Sequence, residues 1–91
     1  MNDSKKILVV EDESHLAKGL KFNLEREGYI VSLVDNGESA IELLSKEAFD
    51  LMILDIMLPK LNGIEVARRV RNTDLRFPIL MLSAKSSDED R

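Results

Sequence analysis

The sequence predicts an α/β domain built on a parallel, doubly wound sheet. Three observations carry this. Four short apolar runs alternate with three helical patterns in the order β-α-β-α-β-α-β. Apart from Ser32 in the second, each run is apolar without interruption, which suits a strand buried on both faces. Each run ends at a polar residue, three of them acidic.

The first run is "ILVV", Ile7–Val10, after two lysines. It is too short for a helix and is bounded by charge, so it reads as a strand. The first helix follows, with Leu16, Leu20 and Leu24 recurring every four residues and Ala17 beside them. "EGY" ends it, because Gly28 tolerates the left-handed conformation that stops a helix. The β-branched "YIVSLV" (29–34) is the second strand. After Asn36-Gly37, Ala40, Ile41 and Leu44 make the stripe of a second helix. "LMIL" (51–54) is the third strand, with Asp55 as the first residue past its end. After Asn62-Gly63, the spacing of Ile64, Ala67 and Val70 predicts the buried stripe of a third helix, with Arg68, Arg69 and Arg71 in solvent. Pro59 and Gly63 read as loop geometry: a fixed φ, and freedom at a helix entry. "ILML" (79–82) is the fourth strand.

Composition narrows the function classes. A chain of 91 residues suits one small domain. Its charge of -4 argues against a nucleic-acid surface. The absence of cysteine removes disulfides and thiolate metal sites. No apolar run approaches a membrane span, so the expected location is the cytoplasm. A P-loop nucleotide site is excluded by the lack of its glycine-rich Lys-Ser/Thr motif.

The carboxyl ends of parallel strands meet at one edge of the sheet, where ligands bind. If the third strand lies beside the first, Asp12 and Asp55 face each other there, with Glu11 close by. Carboxylates 4 Å apart repel by ~4 kcal/mol per pair at an effective dielectric near 20. A hard divalent cation relieves that repulsion, and a small oxygen-donor set suggests Mg²⁺. Ser83 offers a hydroxyl for a phosphoryl oxygen. Plainer readings stand beside these. Glu11 and Asp12 could merely favour a helix N-terminus, Ser83 could be an ordinary strand-end polar residue, and Asp35 reads as a solvated turn residue. His15 reads as surface. Phe22, off the leucine stripe, reads as a lateral or partner contact or as simple partial exposure.

"ILVVEDE", "LMILDIMLPKLNGIE" and "ILMLSAK", in this order and spacing, resemble the receiver domain of bacterial two-component response regulators. The "LDIMLP" and "MLSA" wording is most similar to regulators that carry a winged-helix DNA-binding domain downstream. The resemblance implies a flavodoxin-like (CheY-like) fold with strand order 2-1-3-4. It implies that Asp55 is the phosphoacceptor, charged by a phosphohistidine of a sensor histidine kinase, so that the chain is not itself an enzyme. It further implies that Asp12 ligates Mg²⁺ directly, Glu11 acts largely through a metal-bound water, the Met57 backbone carbonyl is a ligand, and Ser83 contacts the phosphoryl group.

The chain departs from that pattern by stopping at Arg91, after the fourth strand. Residues 1–91 are thus expected to be an incomplete receiver, lacking the last strand, two helices and any output domain. The family's active-site lysine is missing as well, and Lys85 is not that lysine. Exposing about six to eight large apolar side chains would forfeit roughly 10–20 kcal/mol of gross burial, against a net stability of ~5–15 kcal/mol for a whole domain. The alternative expectation is therefore a structural fragment without phosphotransfer. It would form a homo-oligomer, or pair with a complementary fragment, through the fourth strand's edge or an uncovered sheet face.

Overall fold

The computed structural model describes residues 4–58 and 61–82. Seven elements follow in order: β1 (Lys6–Val10), α1 (Ser14–Arg26), β2 (Ile30–Val34), α2 (Gly37–Lys46), β3 (Leu51–Asp55), α3 (Gly63–Thr73) and β4 (Ile79–Leu82). The strands form one parallel sheet in the order β2-β1-β3-β4. β1 and β3 are central, and Val10 pairs with Val34 on one side and Leu54 on the other.

Alternation along the central strands makes two cores. Ile7, Val9 and Ile53 join Val31 under Leu20 and Leu24 of α1. Leu8, Val10, Met52 and Leu54 face the opposite way, against Ala40 of α2 and Val66 and Val70 of α3, with Phe49 and Phe77 closing the end. Leu8, Met52 and Leu54 have no exposed surface, and each such side chain contributes ~1.5–3 kcal/mol of burial.

The helix boundaries have local causes. Asn36 caps α2 by accepting from the Ser39 N–H at 2.8 Å, and Asn62 caps α3 by accepting from the Glu65 N–H at 3.0 Å. Gly28, at φ 97°, ends α1 as its sequence predicts.

Several expectations need correction. Asp55 is the last residue of β3, paired with Leu82, rather than the first residue beyond it. Burial on both faces holds for β1 and β3 but not for β2, where only Val31 is buried, nor for β4. Among the described residues these two are the outer strands, with one neighbour each. In α1 the leucine stripe is only partly covered: Ala17 is buried, whereas Leu16 lies 38% exposed in the first turn. In α3 the stripe is Gly63, Val66 and Val70, and Ile64 is 53% exposed. Recurrence every three residues drifts by about 60° per step around a helix. The close approach of Gly63 to β3 fixes the rotation of α3 and turns Ile64 outward.

Arg68 and Arg69 are exposed, as expected, and both pair with Glu65. Arg71 instead turns back to donate to the Phe77 carbonyl, tying the end of α3 to the approach of β4. Phe22 is 62% exposed, with the Arg26 guanidinium 5.8 Å from its ring centre. His15 is exposed.

Candidate functional site

The carboxyl edge of the sheet carries the acidic cluster. Glu11 leaves β1 with its N–H still bonded to the Val34 carbonyl at 3.1 Å. It is therefore held as firmly as a strand residue. Asp55 closes β3, and the following Ile56 N–H donates to the Leu82 carbonyl at 3.0 Å. Glu11, Asp12 and Asp55 each bring a carboxylate oxygen within 4.8 Å of the others. Glu11 and Asp55 are buried, at 4% and 5% exposure, and Asp12 is exposed at the rim.

Gly63 makes this placement possible. A β-carbon there would sit 2.3 Å from the Asp55 carbonyl oxygen. The Gly63 N–H meanwhile donates to the Ile56 carbonyl at 3.0 Å. The expectation of conformational freedom at Gly63 is thus replaced by a need for space. Its φ is not in the positive region, where Gly28 alone lies among the described glycines.

The electrostatics are unbalanced. Among the described residues none of the three carboxylates forms an ion pair. Glu11 Oε2 accepts from the Glu13 N–H at 3.0 Å, and Asp55 Oδ1 accepts from the Met57 N–H at 3.1 Å. Glu11 Oε1 is buried with no partner. Burial pushes the Glu11 carboxyl above its ordinary value of 4.5, and the negative charges of Asp55 and Asp12 push the same way; the Glu13 N–H opposes them. A buried carboxylate oxygen beside two more carboxylates costs free energy unless a cation meets it or a proton is held between Glu11 and Asp55, whose side-chain hydrogen bond also raises the Glu11 pKa. The donors are all hard oxygens, and the exposed Asp12 leaves one side open to water. That set fits Mg²⁺. Beside it opens a cavity of about 420 Å³, bordered by Asp12, Ser14, Lys18, Asp35 and Ser39.

The structure thus brings together Glu11, Asp12 and Asp55. Met57 contributes its N–H to Asp55, and its side chain is 53% exposed. Asp35 is exposed and accepts from Asn36 Nδ2. Ser83, with Pro59 and Lys85, lies outside the described residues. Sequence reasoning missed Glu13, which caps α1 and bonds Glu11 at once. The only available signal was its place next to the acidic pair at a helix start.

Comparison with known proteins agrees with this geometry. The response regulator receiver domain family matches residues 7–91. The chain is 50% identical over 88 residues to the alkaline phosphatase synthesis transcriptional regulatory protein PhoP of Bacillus subtilis; the match covers 97% of this chain and 37% of PhoP. The chain thus spans little more than a third of that relative's length. Among solved structures, the response regulator TrrA of Thermotoga maritima in complex with Mg²⁺-BeF superimposes with a TM-score of 0.87 at 40% identity, over 90% of this chain and 71% of that one. TrrA in complex with the histidine kinase ThkA gives 0.85 at 38% identity, over 96% and 75%. A parallel 2-1-3-4 sheet, an acidic cluster on its carboxyl edge and a family match over nearly the whole chain have one reading: the chain belongs to the response regulator receiver domain family.

Proposed function

We propose that this chain is a phosphoacceptor module that takes a phosphoryl group on Asp55 from the phosphohistidine of a sensor histidine kinase. The observation that carries the reading is the buried Glu11–Asp55 pair, with Glu11 Oε1 unpartnered and Asp12 at the rim. The relatives support it: TrrA binds Mg²⁺-BeF in one structure and a histidine kinase in another. In this reading a carboxylate oxygen of Asp55 attacks phosphorus in line. The O–P bond forms as the N–P bond breaks, and the electron pair of that bond stays on the imidazole, which takes a proton. Asp55 is already ionised, so placement and charge neutralisation matter more than a base. Asp12 and Asp55 would hold Mg²⁺ directly, Glu11 through water, and the Met57 carbonyl as a further ligand. When bound, the ion offsets the charge gathered at the acceptor. Ser83 would bond the transferred group. The chain is then a substrate of its kinase rather than an enzyme, and acts in the cytoplasm.

Acetyl phosphate with MgCl₂, read by intact mass, tests this. The expected gain is about 80 Da, one phosphoryl group, absent in Asp55→Asn and absent with a chelator. No gain in the wild-type chain would refute the proposal for this polypeptide.

One observation favours a second reading. Among the described residues β4 is hydrogen-bonded only to β3, and Leu80 is 51% exposed. The 91-residue polypeptide taken alone would then act as an assembly unit, pairing with a second copy or a complementary segment through that edge. Light scattering that shows a cooperatively unfolding monomer at micromolar concentration would remove this reading.

A further inference from the structure

We propose that Glu13, which is not a ligand, is the positioning residue that sets the Glu11 carboxylate for the cation. This rests on the Mg²⁺ reading above. Three hydrogen bonds converge on Glu13. Its backbone N–H donates to Glu11 Oε2 at 3.0 Å. Its Oε1 accepts from the Leu16 N–H at 2.7 Å, and its carbonyl accepts from the Ala17 N–H at 2.9 Å. The last two bonds build the first turn of α1, and the first reaches back over the turn to the acidic pair. Glu13 therefore couples the start of α1 to one oxygen of Glu11.

That coupling makes the two oxygens of Glu11 unequal. Oε2 is occupied by the Glu13 N–H, and Oε1 is left buried and unpartnered as the oxygen available to the cluster. Freed from Glu13, the carboxylate could rotate and divide its charge between two orientations. A fixed carboxylate has already lost that freedom before the ion arrives.

The choice of cap points the same way. Serine is a far commoner N-cap than glutamate, and Ser14 is the next residue. The helix is nevertheless capped at Glu13, in extended backbone at φ -87° and ψ 109°. A helix begun one residue later would move the capping geometry, and the turn over Glu11, off Glu13. The Glu13 side chain itself is exposed, so its charge is screened at the cluster. Its contribution is geometric.

Amide NMR of the full chain, titrated with MgCl₂, separates position from charge. Glu13→Ala removes the cap and is expected to weaken Mg²⁺ binding about ten-fold, a usual cost of losing a residue that orients a ligand. Glu13→Gln and Glu13→Asp keep an acceptor and should stay within about two-fold of wild type. In metal-free protein, hydrogen exchange at the residue-13 amide should accelerate in the alanine variant only. Wild-type affinity in Glu13→Ala overturns the proposal. So does an equal loss in Glu13→Gln that vanishes at high salt, because charge would then be the cause. A wild-type chain that shows no response to Mg²⁺ overturns the cation reading beneath it. That failure is distinct, since the metal-free exchange difference would persist. Far-ultraviolet circular dichroism checks that each variant keeps its helices.

Discussion

A β-carbon at position 63 would lie 2.8 Å from the Ile56 Cα as well as 2.3 Å from the Asp55 carbonyl oxygen. Neither neighbour is a flexible side chain that could swing aside, so the strand end or the helix must shift. Gly63→Ala is expected to cost roughly 1–3 kcal/mol in urea unfolding, as overpacking does, and to weaken Mg²⁺ binding as Asp55 moves. Gly19 is the matched control. It lies within α1, and a β-carbon there would meet nothing within 4 Å. Gly19→Ala should stabilise by ~0.5–1 kcal/mol through helix propensity alone. If the two substitutions had the same sign, the close-approach account of Gly63 would fail. Sequence shows both residues as glycine and cannot separate them, because the difference lies in which backbone passes nearby.

At the level of elements, α3 shows where sequence pattern stops being enough. Ile64, Ala67 and Val70 have a helical spacing, and so do Val66 and Val70; only the rotation set by Gly63 decides between them. Val66→Ala, at a side chain with no exposed surface, should cost roughly 1–3 kcal/mol, whereas Ile64→Ala should stay within about 0.5 kcal/mol of wild type. Thermal unfolding of the two variants checks the assignment. The four strands and three helices were legible because each central strand is an unbroken apolar run and each helix opens at a turn or capping residue. Glu11, Asp12 and Asp55 were legible because parallel strands deliver their last residues to one edge. The partial exposure of β2 was signalled only by Ser32, the one polar residue inside its run; the apolar residues around it, Ile30, Val31, Leu33 and Val34, do not tell an outer strand from a central one. Glu13 was hidden because its role is a cap, and residue preference favours its neighbour Ser14.

Across the whole molecule, the raised Glu11 pKa makes stability depend on pH. The folded state holds the Glu11 proton to a higher pH than the unfolded chain does, so folding is favoured by protonation. This contribution is fully present below the ordinary value of 4.5 and is lost as pH rises through the folded value. Metal-free protein should therefore lose stability as pH rises through that window. Glu11→Gln should flatten this part of the profile, as urea midpoints against pH would show. A profile unchanged by the substitution would contradict the assigned cause. The same sheet also gives a disturbance at Asp55 a direct path. The residue after Asp55 is bonded through its N–H to the carbonyl of Leu82, and Asp55 itself pairs with Leu82 across the ladder. The next residue in the chain is Ser83. Any push that a new group on Asp55 exerts on its own backbone is thus loaded directly onto the end of β4. One mechanical route out of Asp55 is thus a lever one hydrogen bond long that passes through no helix, beside the equally short link from the Ile56 carbonyl to Gly63 at the start of α3.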